Sequence, residues 1–163
     1  MIRLAILTLS DKGSRGERID ASGAAIRELM TGLGAEVVQY QLLPDERSQI
    51  AATLAAWADS AECDLILTTG GTGLSPRDVT PEATLAVIER QAPGLPEVMR
   101  QEGLRHTPMA ALSRAVAGVR ANTLIVNLPG SERGVRESLG AILPVLPHAL
   151  EILRGAAGDH PAT

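Results

Sequence analysis

Four short polar segments carry most of the chemistry this sequence can do. The run Thr69-Gly70-Gly71-Thr72-Gly73 follows an apolar stretch and is rich in glycine. Backbone N–H groups in such a run can approach a ligand without side-chain obstruction. Thr69 and Thr72 add hydroxyl donors. No Gly-Lys-Ser/Thr follows, so this is not a Walker A loop, and Ser75-Pro76-Arg77 stands where a dinucleotide fingerprint needs its later glycine. Taken alone, a glycine cluster serves equally well as a tight turn. Asp78 lies just before Thr80-Pro81-Glu82, a helix-start signal. An isolated aspartate there suits a helix cap, and so does Asp45 after Pro44. Together, however, two carboxylates beside a phosphate-binding loop are what Mg²⁺ on a nucleotide requires: oxygen ligands, with one or two carboxylates completed by substrate phosphates. Arg77 could pair with a phosphate or stay in solvent.

The second segment, Asn127-Leu128-Pro129-Gly130-Ser131, ends an apolar run at a helix start, where free N–H groups and the helix dipole favour an anion. Ser131 also suits a plain N-cap, and Arg133 and Arg136 suit either a compensating charge or an exposed surface. Ser10-Asp11 and Pro44-Asp45 are the other two polar strand ends. His106, His148 and His160 are scattered with no second ligand at metal spacing, and no Ser/His/Asp arrangement emerges. Cys63 is the one cysteine, so no intrachain disulfide forms; it reads as a small residue at a strand edge, consistent with a reducing cytoplasm.

The elements that must position these segments alternate strand and helix. Strands are expected over Arg3 to Leu9, Glu36 to Leu43, Asp64 to Thr69 and Thr123 to Leu128, with a further short one over Ala115 to Val119. A loop is expected over Gly13 to Arg18. Helices are expected from near Ser22 to Gly32, from Asp45 to Ala58, from Thr80, over Glu97 to Glu102, and from Ser131 to Leu153 with Pro144 and Pro147 kinking or dividing the last. This alternation predicts right-handed crossovers and a mostly parallel sheet, whose ligands bind beyond the C-terminal strand ends. Residues 1–155 are read as one domain and 156–163 as a flexible tail.

Composition agrees. Aromatic residues make up 1% of the chain, with no Phe, so the core must be Ala, Val, Ile and Leu, as in strands buried on both faces. Fifteen Lys and Arg against nineteen Asp and Glu give a net charge of −4, which argues against a nucleic-acid binder. The start is too short and strand-like for a signal peptide, and no apolar run nears the roughly 18 residues a membrane span needs. A soluble, cytoplasmic protein is expected.

Leu67 to Thr84 resembles the signature of the molybdopterin-binding fold, and Asn127 to Ser131 resembles its second signature. Leu9-Ser10-Asp11, Asp20-Ala21-Ser22-Gly23 and Leu42-Leu43-Pro44-Asp45-Glu46 are similar to further loops of that family, in the same order along the chain. The resemblance implies a three-layer α/β/α sandwich. It implies Mg²⁺-dependent adenylylation of molybdopterin by ATP with release of pyrophosphate. It places Asp45 and Asp78 on the catalytic, metal-holding aspartates. Ser10, Asp11, Thr69, Gly70, Gly71, Thr72, Gly73, Ser113, Asn127, Pro129, Gly130 and Ser131 fall on substrate-binding positions. A homotrimer or hexamer is implied, with a MoeA-type insertase as a candidate partner. The alternative is a MoaB-like molybdopterin-binding protein without catalysis; insertase proteins that share the fold carry further domains. Two departures stand out: the C-terminal extension of longer MogA proteins is not in the sequence, and Glu132 occupies a usual proline position.

Overall fold

A computed structural model describes residues 1–155. Its framework is a six-stranded sheet in the order β2-β1-β3-β6-β5-β4. The strands are β1 (Ile2–Leu9), β2 (Ala35–Leu43), β3 (Leu65–Thr69), β4 (Arg90–Gln91), β5 (Ala117–Arg120) and β6 (Thr123–Leu128). Strands β2, β1, β3 and β6 run parallel, and β5 and β4 complete one edge antiparallel. The helices are α1 (Asp11–Ser14), α2 (Ala21–Gly32), α3 (Arg47–Asp59), α4 (Thr80–Val87), α5 (Gly94–Leu104), α6 (Glu132–Ile142) and α7 (Leu146–Leu153), with a 3-10 turn over Pro108–Leu112.

The apolar runs explain the layering. Side chains alternate across a strand, so Leu4, Ile6, Leu65, Leu67, Leu124 and Val126 face one layer, where α2, α5, α6 and α7 cover them with Ile26, Met30, Met99, Leu139 and Leu150. Ala5, Leu7, Ile66 and Ile125 face the other layer, against Ile50 and Leu54 of α3 and Ala83 and Val87 of α4. Each fully buried Leu or Ile contributes about 1.5–3 kcal/mol of transfer free energy. The expected three-layer sandwich is therefore the observed one. No helix among the described residues is long and apolar enough to cross a membrane.

Local details differ from the sequence reading, each for a physical reason. The segment after β1 begins with a single helical turn, α1, because Ser10 Oγ accepts from the Gly13 amide. Helix α2 starts at Ala21 because Asp20 caps it through the Gly23 amide. Neither Asp45 nor Asp78 caps a helix: α3 and α4 start after Glu46 and Val79, with no side-chain cap bond. Helix α5 begins at Gly94 rather than Glu97, since Pro96 sits in its first turn, where a missing N–H is harmless. Strand β5 starts at Ala117, and the two-residue β4 was not anticipated. The turn at residues 143–145, which holds Pro144, divides α6 from α7. The tail expected to be flexible lies outside the described residues.

Candidate functional site

The four parallel strands end at one edge of the sheet, which brings Ser10, Asp45, Gly70 and Pro129 together. The glycine bend there is a requirement of geometry. Gly70 has φ +101° and Gly71 has φ +66°, where L side chains are strained. A Cβ on Gly70 would collide with the Leu9 carbonyl oxygen. One on Gly71 would strike Thr80 Oγ1 and lie 3.1 Å from Asp45 Oδ1. Thr80 fixes the bend by donating Oγ1 to the Gly70 carbonyl at 2.9 Å and its amide to the Gly71 carbonyl at 3.2 Å. Thr69 Oγ1 donates to the Pro129 carbonyl at 2.6 Å, and Ser22 Oγ to the Gly130 carbonyl at 2.7 Å, so the two signature loops are tied into one rim.

Asp45 is half-buried at this rim. Its amide donates to Asp11 Oδ1 at 2.9 Å, and the Asp11 amide donates to Asp45 Oδ2 at 3.1 Å. Asp45 Oδ1 is buried and has no hydrogen-bond partner. Burial pushes the Asp45 carboxyl above its ordinary range, and the charges of Asp11 and Asp78 add to that, against the opposing Asp11 amide and Arg77. Asp78 closes a small turn by accepting the Ser75 amide on Oδ2 at 3.0 Å. Arg77 is already engaged: it pairs with Asp11 at 2.9 Å and with Glu46 at 3.0 Å. The Arg77 hydrogen bond, followed by the Asp45 amide, holds the Asp11 carboxyl below its usual range. Arg133 and Arg136 also make surface ion pairs, with Glu137 and with Glu28 and Glu132.

The expected site residues divide between two cavities that meet at Ser131. The larger, of about 470 Å³, is lined by Ser10, Asp45, Thr69, Gly70, Gly71, Asp78, Gly130 and Ser131. Its walls include Arg18, Asp20, Ser22 and Glu132, which the sequence reading did not assign to the site. Asp20 is the most firmly held of these, accepting from Thr8 Oγ1 and Tyr40 Oη at 2.7 Å each. The resemblance of Asp20-Ala21-Ser22-Gly23 to a family loop is the signal that could have found it. The smaller cavity, of about 280 Å³, is lined by Thr72, Gly73, Ser113, Pro129 and Ser131 together with Pro96, Met99, Arg100, Met109 and Leu112.

Two expected residues enter neither wall. Asp11 stands behind Asp45 and holds it. Asn127 is fully buried, and its amide is spent inside the protein. Its Nδ2 donates to Thr68 Oγ1 at 3.0 Å and Thr84 Oγ1 at 2.9 Å, while its Oδ1 accepts the Val116 amide at 3.2 Å. That side chain locks β6 to its neighbours beneath the rim.

No group of three or more His, Cys, Asp or Glu able to hold a metal ion occurs among the described residues. The donor set is instead one partnerless buried carboxylate oxygen, with a second carboxylate close enough to raise its proton affinity. A hard cation that brings phosphate and water as its other ligands fits such a set; a cation needing an all-protein cage does not.

Comparison with known proteins gives a consistent result. Residues 5–148 match a family described as a probable molybdopterin binding domain. The molybdopterin adenylyltransferase of Helicobacter pylori is 41% identical over 156 residues, covering 94% of this chain and 89% of that protein. The Escherichia coli protein of the same name is 38% identical over 168 residues, covering 94% and 86%. The crystal structure of the molybdopterin biosynthesis enzyme MoaB from Thermus thermophilus superposes with a TM-score of 0.90 at 61% identity, over 95% of this chain and 98% of that one.

Proposed function

Since this chain belongs to the molybdopterin-binding domain family, we infer that it is a molybdopterin adenylyltransferase of molybdenum cofactor biosynthesis, and we propose how its two cavities divide the substrates. In this reading the larger cavity takes the triphosphate of Mg²⁺-ATP and the smaller takes the pterin, whose flat rings suit the apolar wall of Pro96, Met99, Met109 and Leu112. Ser131, in both walls, stands where the two phosphate groups meet.

The terminal phosphate oxygen of molybdopterin attacks the α-phosphorus of ATP. A new P–O bond forms there, the bond to the bridging oxygen of the β-phosphate breaks, and pyrophosphate leaves. Such a transfer needs positioning and charge stabilisation more than covalent help. Asp45 and Asp78 would hold Mg²⁺, which would supply positive charge to the triphosphate and its leaving group. The protein does the rest. The Gly70–Gly71 bend lets phosphate approach the backbone, and the start of α6 beyond Ser131 offers free N–H groups to an anion. Asp11 holds Asp45 in place from behind.

The observation that carries this reading is Asp45 Oδ1: buried, without a partner, and aimed across the glycine bend of the cavity that also holds Asp78. Burying a carboxylate oxygen with nothing to satisfy it is costly. Of the two such oxygens among the described residues, Glu82 Oε2 lines neither cavity, so Asp45 Oδ1 is the one that a ligand in the larger cavity can complete. The same oxygen weighs against a molybdopterin-binding role without catalysis, which has no use for it. The expected trimer or hexamer, and hand-over of the product to a MoeA-type insertase, belong to the same proposal.

The test is a coupled assay of pyrophosphate release from Mg²⁺-ATP and molybdopterin, with adenylyl-molybdopterin identified by mass. Asp45→Asn and Asp78→Asn lose turnover on the order of 10²–10³-fold with the fold intact. Near-normal turnover in both variants overturns the assignment.

A further inference from the structure

The turn from Gly73 to Asp78 places one of the two carboxylates, yet residues 74–77 are exposed. The Arg77 side chain ties the turn to Asp11 and Glu46, and what fixes its backbone is Arg114, which lies on the chain segment between the 3-10 turn and β5. Its Nε donates to the Gly73 carbonyl at 2.7 Å, and its Nη2 to the Asp78 carbonyl at 2.6 Å. One guanidinium thus spans both ends of the turn. The Arg114 amide donates to the Thr72 carbonyl at 2.9 Å, one residue before the turn. The remaining arm, Nη1, pairs with Glu82 in the first turn of α4. Among the described residues, Arg114 is the only one outside the turn that bonds its backbone. Charge-assisted bonds from a planar fork hold geometry that a flexible ammonium does not.

Asp45 is fixed by a different set of bonds, to Asp11. The separation of the two carboxylates therefore depends on how firmly the Asp78 turn is tied down: Arg77 ties its side-chain face to Asp11, and Arg114 ties its backbone at both ends. We propose that Arg114 is a positioning residue that sets the Asp78 carboxylate opposite Asp45 and so sets the affinity of the site for magnesium-bound nucleotide. This rests on the adenylyltransferase reading above. It also gives Arg114 a role that its neighbour Ser113 does not share, since Ser113 lines the smaller cavity.

The experiment compares the unchanged protein with Arg114→Gln and Arg114→Lys. Calorimetry measures binding of Mg²⁺ with a non-hydrolysable ATP analogue and, separately, of molybdopterin; the assay measures rate against Mg²⁺ concentration. For Arg114→Gln, nucleotide binding weakens and the Mg²⁺ needed for half-maximal rate rises several-fold. Turnover falls by on the order of tenfold to a hundredfold, as expected when a reacting group is displaced by about 1 Å. Molybdopterin binding weakens less than nucleotide binding, because the smaller cavity loses only the tie to Gly73 and keeps its apolar wall. Arg114→Lys, which keeps the charge without the fork, recovers part of the nucleotide affinity. A merely structural role would instead weaken both ligands in parallel with a lowered Tm, and that result overturns the inference. So does an unchanged Mg²⁺ dependence in Arg114→Gln. If the unchanged protein neither binds the nucleotide nor adenylylates molybdopterin, the functional reading itself fails, an outcome distinct from both.

Discussion

Asp64 and Asp45 are carboxylates at opposite rims of the same sheet, one just before β3 and the other just after β2. Asp64 accepts from the Arg3 amide at 2.9 Å, from Arg3 Nη2 at 2.7 Å and from Arg154 Nη2 at 2.7 Å. Burial alone would raise its proton affinity, but the two guanidiniums outweigh that and hold the carboxyl well below its usual range. Asp45 is displaced in the opposite direction, with burial the largest cause and one oxygen left without a partner. Asp64 closes its polar valences inside the protein, and Asp45 leaves one open. Two aspartates at opposite strand ends thus divide into one whose oxygens are satisfied by guanidiniums and one with an oxygen left unpaired.

Substitution should separate the two most sharply. Asp45→Asn lowers adenylylation on the order of 10²–10³-fold, while its Tm is unchanged or higher, because a costly buried charge has gone. Asp64→Asn does the reverse. It loses charged hydrogen bonds worth about 2–3 kcal/mol in sum, or roughly 4–12 °C in Tm for a chain of this size, with turnover unaltered at temperatures where it stays folded. Thermal denaturation and the pyrophosphate assay on both variants check this. A variant that lost activity and stability together would erase the distinction between the rims.

That distinction was half legible in the sequence. The glycine bend, Asp45 and Asp78 stand out because their types and order suit only a few chemistries, and the core strands stand out as uninterrupted apolar runs. What was hidden depends on tertiary neighbours. The expected caps failed because Asp45 turns across to Asp11 and Asp78 back to Ser75. Asn127 suits a ligand and a buried lock equally well; only the approach of Thr68, Thr84 and the Val116 amide decides for the lock. Arg114 was invisible because its partners lie more than thirty residues earlier. Strand β4 is two residues long and owes its existence to pairing with β5.

The opposite shifts give the two rims opposite pH slopes. Asp64 has a folded pKa below the unfolded carboxylate value near 3.9, so its stabilisation is present above that value and is lost as pH falls through it toward the folded pKa. Asp45 has a raised folded pKa, so its contribution is full below the unfolded value and lost as pH rises through the folded one. Urea midpoints between about pH 6 and pH 3 should therefore show the deficit of Asp64→Asn shrinking toward acid. Any advantage of Asp45→Asn at pH 6 should shrink as well. Parallel curves for all three proteins would mean that neither carboxylate is perturbed as described.

The smallest effect tests the Asp64 rim by itself. Cys63 adjoins Asp64, is buried, and donates weakly to the Trp57 carbonyl at 3.4 Å. Burial pushes its thiol up to about 11, so at neutral pH the native state offers almost no thiolate to an alkylating agent. Labelling by iodoacetamide must then wait for local opening of this end of the sheet. Asp64→Asn, which loosens the ties to Arg3 and Arg154, speeds labelling several-fold, whereas Asp45→Asn at the far rim leaves it unchanged. Mass spectrometry of timed samples reads the difference directly. Equal acceleration by both variants would show that the rims open together, and the division of labour between them would then hold for chemistry but not for stability.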